Sequence, residues 1–271
     1  DWGGTAFTRP YDAIFDSGHA WDDDGHGTHV ASTIAEGTNN GVGLAGLAFG
    51  VTIMPIKACV SLPWFDEELV GCPTVAIADG IDYARSNGAK VVNLSLGGSF
   101  PSQAERAAVQ RAAAANVVLV AATGNDDGPV GYPAAFDEVI AVGAVNGSKQ
   151  RAFYSNFGPE VDLVAPGGDL DDAGRDGYAD FVFQQTLDFD LTPLGIYTEF
   201  IYGGLIGTSM ATPHVSASAA LLVSQGITDA RAVRSALEQF SDDLGPAGRD
   251  NNFGHGLINP AKALAGLGLG Q

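Results

Sequence analysis

Residues 117–122 (Val-Val-Leu-Val-Ala-Ala) and 139–145 (Val-Ile-Ala-Val-Gly-Ala-Val) carry no polar side chain at any position. A strand that is apolar on both faces must be covered on both, a condition met by parallel sheets whose crossover helices lie above and below. Residues 51–58 and 90–95 read as further strands. A helix over 74–87 is capped by Thr74, buries Val75, Ile77, Ala78, Ile81 and Ala84, and stops at Gly88. An Ala-rich helix follows over 102–116. This alternation predicts an α/β fold of three layers, a central, mostly parallel sheet with helices on both faces. At 271 residues a single domain, 1–271, is sufficient. Residues 167–206 break the pattern and read as an insertion. They hold an acidic loop over 169–180 and a β-ribbon of strands 181–186 and 196–202 joined by 187–195. Two more helices are expected, over 228–240 and from about 260.

In such sheets, ligands bind beyond the carboxyl ends of the strands. Ser95, Leu96, Gly97 and Gly98 follow one strand, and Gly124 and Asn125 follow another. The stretch 207–214, Gly-Thr-Ser-Met-Ala-Thr-Pro-His, precedes the apolar run 215–223. Its small residues permit a close approach, and Pro213 suits the first turns of a helix starting at or just after Ser209. A serine there can attack a carbonyl while its unpaired amide helps to hold the oxyanion, although these eight residues equally fit a plain N-cap serine. The stretch 22–31, Asp-Asp-Asp-Gly-His-Gly-Thr-His-Val-Ala, opens a helix whose dipole favours the preceding acids. Two histidines three apart can bind a metal. No carboxylate or third histidine follows at ligand spacing, so His26 reads as a base and His29 as a packed structural residue.

The net charge of −19, with four lysines, excludes nucleic acid and anionic membrane surfaces as partners. No apolar run is long enough to span a bilayer and no leader opens the chain, so it reads as soluble, and as mature or truncated at its start. Cys59 and Cys72 flank a segment, 60–71, that reads as a loop. A disulfide there would stabilise by about 3 kcal/mol and favours a secreted, extracellular or periplasmic protein; two free thiols in a reducing cell are the alternative.

Together the strings DDDGHGTHVA at 22–31, NLSLGG at 93–98, VAATGN at 120–125, GYPAAFDEVIAVGAV at 131–145 and GTSMATPHV at 207–215 resemble the subtilisin-like serine peptidases. The resemblance implies an endopeptidase acting on proteins or peptides, with Ser209 as nucleophile, His26 as general base and Asn125 as side-chain oxyanion donor, and a secreted monomer is expected. It makes 95–98 the edge that pairs with extended substrate, and Gly131 the floor of the pocket for the residue before the cleaved bond. That glycine, with Gly97, Gly98 and Gly124, implies a preference for large apolar residues. The family's catalytic aspartate, in a short AspThrGly or AspSerGly motif after an early strand, has no good match. Asp16, in Asp16-Ser17-Gly18, stands only ten positions before His26, and Asp1 has no strand before it. An aspartate strand upstream of residue 1 is the expectation.

Calcium is expected at two places. Asp172, Asp176, Gly177 and Asp180 follow a DxNxDGxxD pattern in which Gly174 replaces the asparagine, and Asp169 or Asp171 would supply the missing oxygen. The second is the loop 38–44, where the family's strong site uses an asparagine, here Asn40.

Overall fold

The computed structural model describes residues 1–62, 69–172, 177–192 and 196–267. Its centre is a parallel sheet in the order β10-β9-β8-β7, formed by β7 (Val91–Leu94), β8 (Val118–Ala122), β9 (Val139–Val145) and β10 (Leu163–Pro166). The two wholly apolar stretches became β8 and β9, buried at every residue. Their alternation splits the core in two. Leu119 and Ala121 face Ile77 and Ile81 of α2 (Thr74–Ser86) and Val109 of α3 (Gln103–Ala114). Val118 and Val120 face Val215 and Leu222 of α4 (Thr208–Ser224), Leu237 of α5 (Ala230–Gln239) and Ala263 of α6 (Pro260–Gly266). Three layers follow directly from this period-two division.

Several helix starts match their sequence signals. Ser102 accepts from the amide of Glu105, Asp229 from Ala232 and Asn259 from Lys262. Thr74 differs: it is the first helical residue, and Pro73 holds the cap position without a side-chain bond.

The expected strand over 51–58 is instead two short pieces, β3 (Thr52–Ile53) and β4 (Ile56–Lys57). Pro55, which has no amide to donate, interrupts them. They pair in parallel with two strands from the turn-rich first residues, β1 (Ala6–Phe7) and β2 (Tyr11–Asp12). Both ends of the segment between the cysteines, read as a loop, are strands, with β5 (Val60–Leu62) antiparallel to β6 (Leu69–Gly71). Cys59 and Cys72 close it with a disulfide, their Cα atoms 4.1 Å apart.

Between the β3/β4 edge and the free edge of β7 runs a slot of about 1150 Å³. Ile56 and Val91 line its edges, Ile77 and Ile81 one face, and Val30 and Ile34 of α1 (His26–Ala35) are also in its wall. Among the described residues no strand lies in it. An apolar slot walled by two unpaired strand edges has the form of a place for one more buried strand.

The insertion forms the antiparallel ribbon of β11 (Val182–Leu187) and β12 (Phe200–Leu205). The second strand starts four residues later than the apolar run at 196 suggested. At 203 and 204 the chain passes against Thr186, Phe189, Phe181 and Phe183, so closely that a side chain would clash, and the two glycines set the register there.

Candidate active site

Three chain segments meet at the carboxyl ends of β7 and β8. The first is α4, entered through Gly207 (φ 151°). The carbonyl of Gly207 already accepts from the amides of Met210 and Ala211, while Ser209 stands half-buried in the first turn with an amide that has no intrahelical acceptor. Pro213 is accommodated near the helix start, as its sequence position required.

The second segment follows β8. Asn125 Oδ1 accepts from the amide of Thr208 at 2.9 Å and from its hydroxyl at 2.8 Å. Both partners are donors, so the carboxamide nitrogen must face the other way. A Cβ on Gly207 would lie 3.4 Å from Asn125 Nδ2 and 3.6 Å from the Ser209 amide nitrogen, so both donors border the space that this glycine leaves empty. Gly124, at φ +106°, gives its amide to Thr208 Oγ1 at 3.2 Å, and any Cβ there would collide with Asn156.

The third segment follows β7. Ser95 and Ser209 are tied reciprocally: Ser95 Oγ donates to Ser209 O at 2.8 Å, and Ser209 Oγ donates to Ser95 O at 3.3 Å. Gly98 exchanges both backbone bonds with Tyr132, at 2.9 and 2.8 Å, and Gly131 lies against the Gly98 carbonyl with its amide on Thr123 O. Gly97 is exposed, and among the described residues its amide and carbonyl have no hydrogen-bond partner. Ser95, Leu96, Gly97, Gly98, Gly124 and Gly131 are therefore brought to one crevice, and Gly97 offers the free backbone groups that an extended peptide would use.

His26 begins α1. Gly25, at φ 100°, precedes it in a conformation that favours glycine, and a Cβ there would press on Thr186, whose hydroxyl donates to Gly25 O at 2.7 Å. Of the three preceding acids, Asp22 caps the helix. It accepts from the amides of Asp24, Gly25 and Thr28 and from the Thr28 hydroxyl. Burial alone would raise its pKa, but these bonds outweigh burial and hold the carboxyl below its ordinary range. Asp23 pairs with Lys57 at 2.5 Å, and Asp24 accepts from the His26 amide. Burial lowers the pKa of His26, opposed in part by Asp24 and Asp22, which favours the neutral imidazole a base requires.

His26 and Ser95 both line the end of the slot, while the Ser209 hydroxyl points to Ser95. Among the described residues nothing hydrogen-bonds to the His26 ring. Asp16 sits on an exposed turn and accepts from the Tyr11 hydroxyl, and Asp1 accepts from the Asn40 amide at 2.8 and 2.9 Å. His29, expected to be structural, is fully buried with Nε2 3.0 Å from Val182 O of the ribbon.

Asp176 lies outside the described residues, and among those described no three His, Cys, Asp or Glu side chains stand close enough to hold a metal. Asp172 and Asp180 each accept from a backbone amide, of Gly177 and Gly147, and Asp169 accepts from Asn146. Asn40 turns its oxygen to the amide of Val42 in its own loop.

Asn156 carries no signal in the sequence beyond that of a turn residue. Buried, it donates to Thr123 O and Pro129 O and accepts from the amides of Asp126 and Gly128. These four bonds fill its capacity and fix the loop that presents Asn125.

The profile of the Subtilase family matches residues 6–256. Subtilisin DY of Bacillus licheniformis is 38% identical over 256 residues, covering 91% of this chain and 81% of the relative. Subtilisin E of Bacillus subtilis (strain 168) is 38% identical over 270 residues, and there the chain spans 59% of the relative's length. Among solved structures, a protease of Pseudoalteromonas arctica PAMC 21717 superposes with a TM-score of 0.76 at 32% identity, over 89% of this chain and 70% of the other. A lanthipeptide protease superposes with a TM-score of 0.79 at 26% identity, over 96% and 82%. The chain belongs to the subtilase family of serine endopeptidases, with the α/β architecture expected from its sequence.

Proposed function

We propose that the protein hydrolyses peptide bonds through an acyl-enzyme on Ser209. The observation that carries this is the convergence of Asn125 Nδ2 and the Ser209 amide beside the Ser209 side chain. Ser209 Oγ leaves Ser95 O and attacks the substrate carbonyl while His26 takes its proton. The two donors hold the resulting oxyanion, and His26 returns the proton to the leaving amine. Water then attacks the acyl-enzyme by the same route in reverse. The third member of the triad, a carboxylate that orients the His26 ring, comes in this reading from a strand that fills the slot beside β7.

A substrate pocket beside Gly97, Gly98, Gly124 and Gly131, as the family motifs imply, would suit a large apolar residue before the cleaved bond. Selectivity is modest, since each methylene in such a pocket contributes about 1 to 3 kcal/mol. The disulfide between Cys59 and Cys72 supports secretion, the net charge of −19 supports a monomer, and membership of the family supports protein or peptide substrates.

A fluorophosphonate tests the reading: the protein extended at its amino end is expected to label at Ser209, and Ser209→Ala to abolish labelling and casein digestion. A folded, unlabelled wild type would instead be a peptide-binding relative without catalysis. A peptide library cut mainly after Lys, Arg or Asp would overturn the pocket assignment.

Structural calcium at the acidic loop, with Asp172, Asp176 and Asp180 as ligands, rests on the sequence pattern. At a hundredfold excess over Kd, bound calcium contributes about 2.7 kcal/mol, so a chelator should lower the Tm by about 5 to 10 °C. An unchanged Tm would remove calcium from the account.

A further inference from the structure

β7 carries a residue that its layer does not call for. Val91 packs toward the α4 core, and Val92 and Leu94 belong to the α2/α3 core. Asn93, between them, reaches to α4 and accepts at Oδ1 from Ser216 Oγ at 2.8 Å. Ser216 is itself only 2% exposed. A polar pair where two apolar side chains would pack brings little net stability, because replacing both partners of such a bond together is close to neutral.

The directions of the bonds suggest what the pair does. With Oδ1 occupied by the Ser216 proton, the Asn93 amide nitrogen faces away and donates to Ser95 Oγ at 3.0 Å. That bond occupies a lone pair of the Ser95 hydroxyl and aims its proton at Ser209 O, 2.8 Å away. The series Ser216, Asn93, Ser95, Ser209 thus starts two turns into α4 and returns to its first turn.

We propose that Asn93 and Ser216 are positioning residues for Ser209, acting through the Ser95 hydroxyl to hold the main chain of residue 209 when its side chain swings from Ser95 O to substrate. The proposal rests on the serine-peptidase reading. Neither residue touches the reacting atoms; their role is to keep the Ser209 amide aimed at the oxyanion position while the hydroxyl moves.

The test is fluorophosphonate labelling of the amino-terminally extended protein, resolved into a binding constant and a first-order chemical step. The double variant Asn93→Leu/Ser216→Ala is expected to slow the chemical step about tenfold, the effect of one lost hydrogen bond. Its binding constant and Tm should stay near those of the wild type. Ser216→Thr, which keeps the hydroxyl, is expected to retain the rate. A double variant that labels as fast as a labelling wild type overturns this proposal alone, as does one with a lowered Tm and an unchanged chemical step. A wild type that never labels overturns the peptidase reading and this proposal with it.

Discussion

Residues 1–271 expressed alone are expected to digest casein about 10⁴-fold more slowly than a polypeptide extended at its amino end so that a strand fills the slot beside β7. That factor is the loss incurred when only the carboxylate of a Ser–His–Asp triad is removed. The reason lies at His26. Its ring has no hydrogen-bond partner among the described residues, so nothing there selects its tautomer or turns it toward Ser209. The same slot carries a folding cost, because it leaves Ile56, Val91, Ile77 and Ile81 around an unfilled space and two strand edges open to other chains. Loss of cooperative melting and concentration-dependent aggregation are therefore expected alongside the loss of activity. Equal activity in the two polypeptides would place the carboxylate within the 271 residues, and Asp16→Asn would then be the first variant to measure.

The second large effect is on acid stability and centres on His29. Burial pushes its pKa from 6.5 down to about 4, opposed by its bond to Val182 O. In the unfolded chain the imidazole takes up a proton near pH 6.5, whereas in the folded protein it resists protonation until about pH 4. The unfolded state therefore binds more protons across that interval. The contribution of His29 to stability is fully present above pH 6.5 and is lost progressively as the pH falls to about 4, by about 3 kcal/mol in all. His29→Gln, which keeps an amide donor for Val182 O, should flatten the urea-unfolding profile by about that amount between pH 6.5 and pH 4. Identical profiles for the two proteins would show that the buried imidazole does not govern acid unfolding.

His29 was legible as structural because no further ligand follows it at metal spacing. What it supports was not, since Val182 stands 153 positions away across an insertion. The same division holds at the candidate active site. The strings around His26, Asn125 and Ser209 were legible through their resemblance to the subtilisin-like peptidases, and the glycines before His26 and Ser209 are local requirements of close approach. Asn93, Ser216 and Asn156 could not be read in this way. Each is an ordinary polar residue until the partners that saturate it are brought from another element.

By itself, the sequence determined the layers and, through its motifs, the family. Strands apolar at every position require cover on both faces, and the period of two along β8 then assigns each side chain to α2 and α3 or to α4 and α5. The tertiary structure alone decided the pairing. It divided 51–58 at Pro55 and paired Val60–Leu62 with Leu69–Gly71 between the cysteines. It also placed the second ribbon strand at Phe200–Leu205. Strand register depends on which side chains fit between partners distant in sequence, and here Gly203 and Gly204 set it by making room for Thr186, Phe189, Phe181 and Phe183. The slot beside β7 belongs to the same class of fact. Its walls are ordinary apolar residues of α1, α2, β4 and β7, and only their assembly shows that they enclose one space.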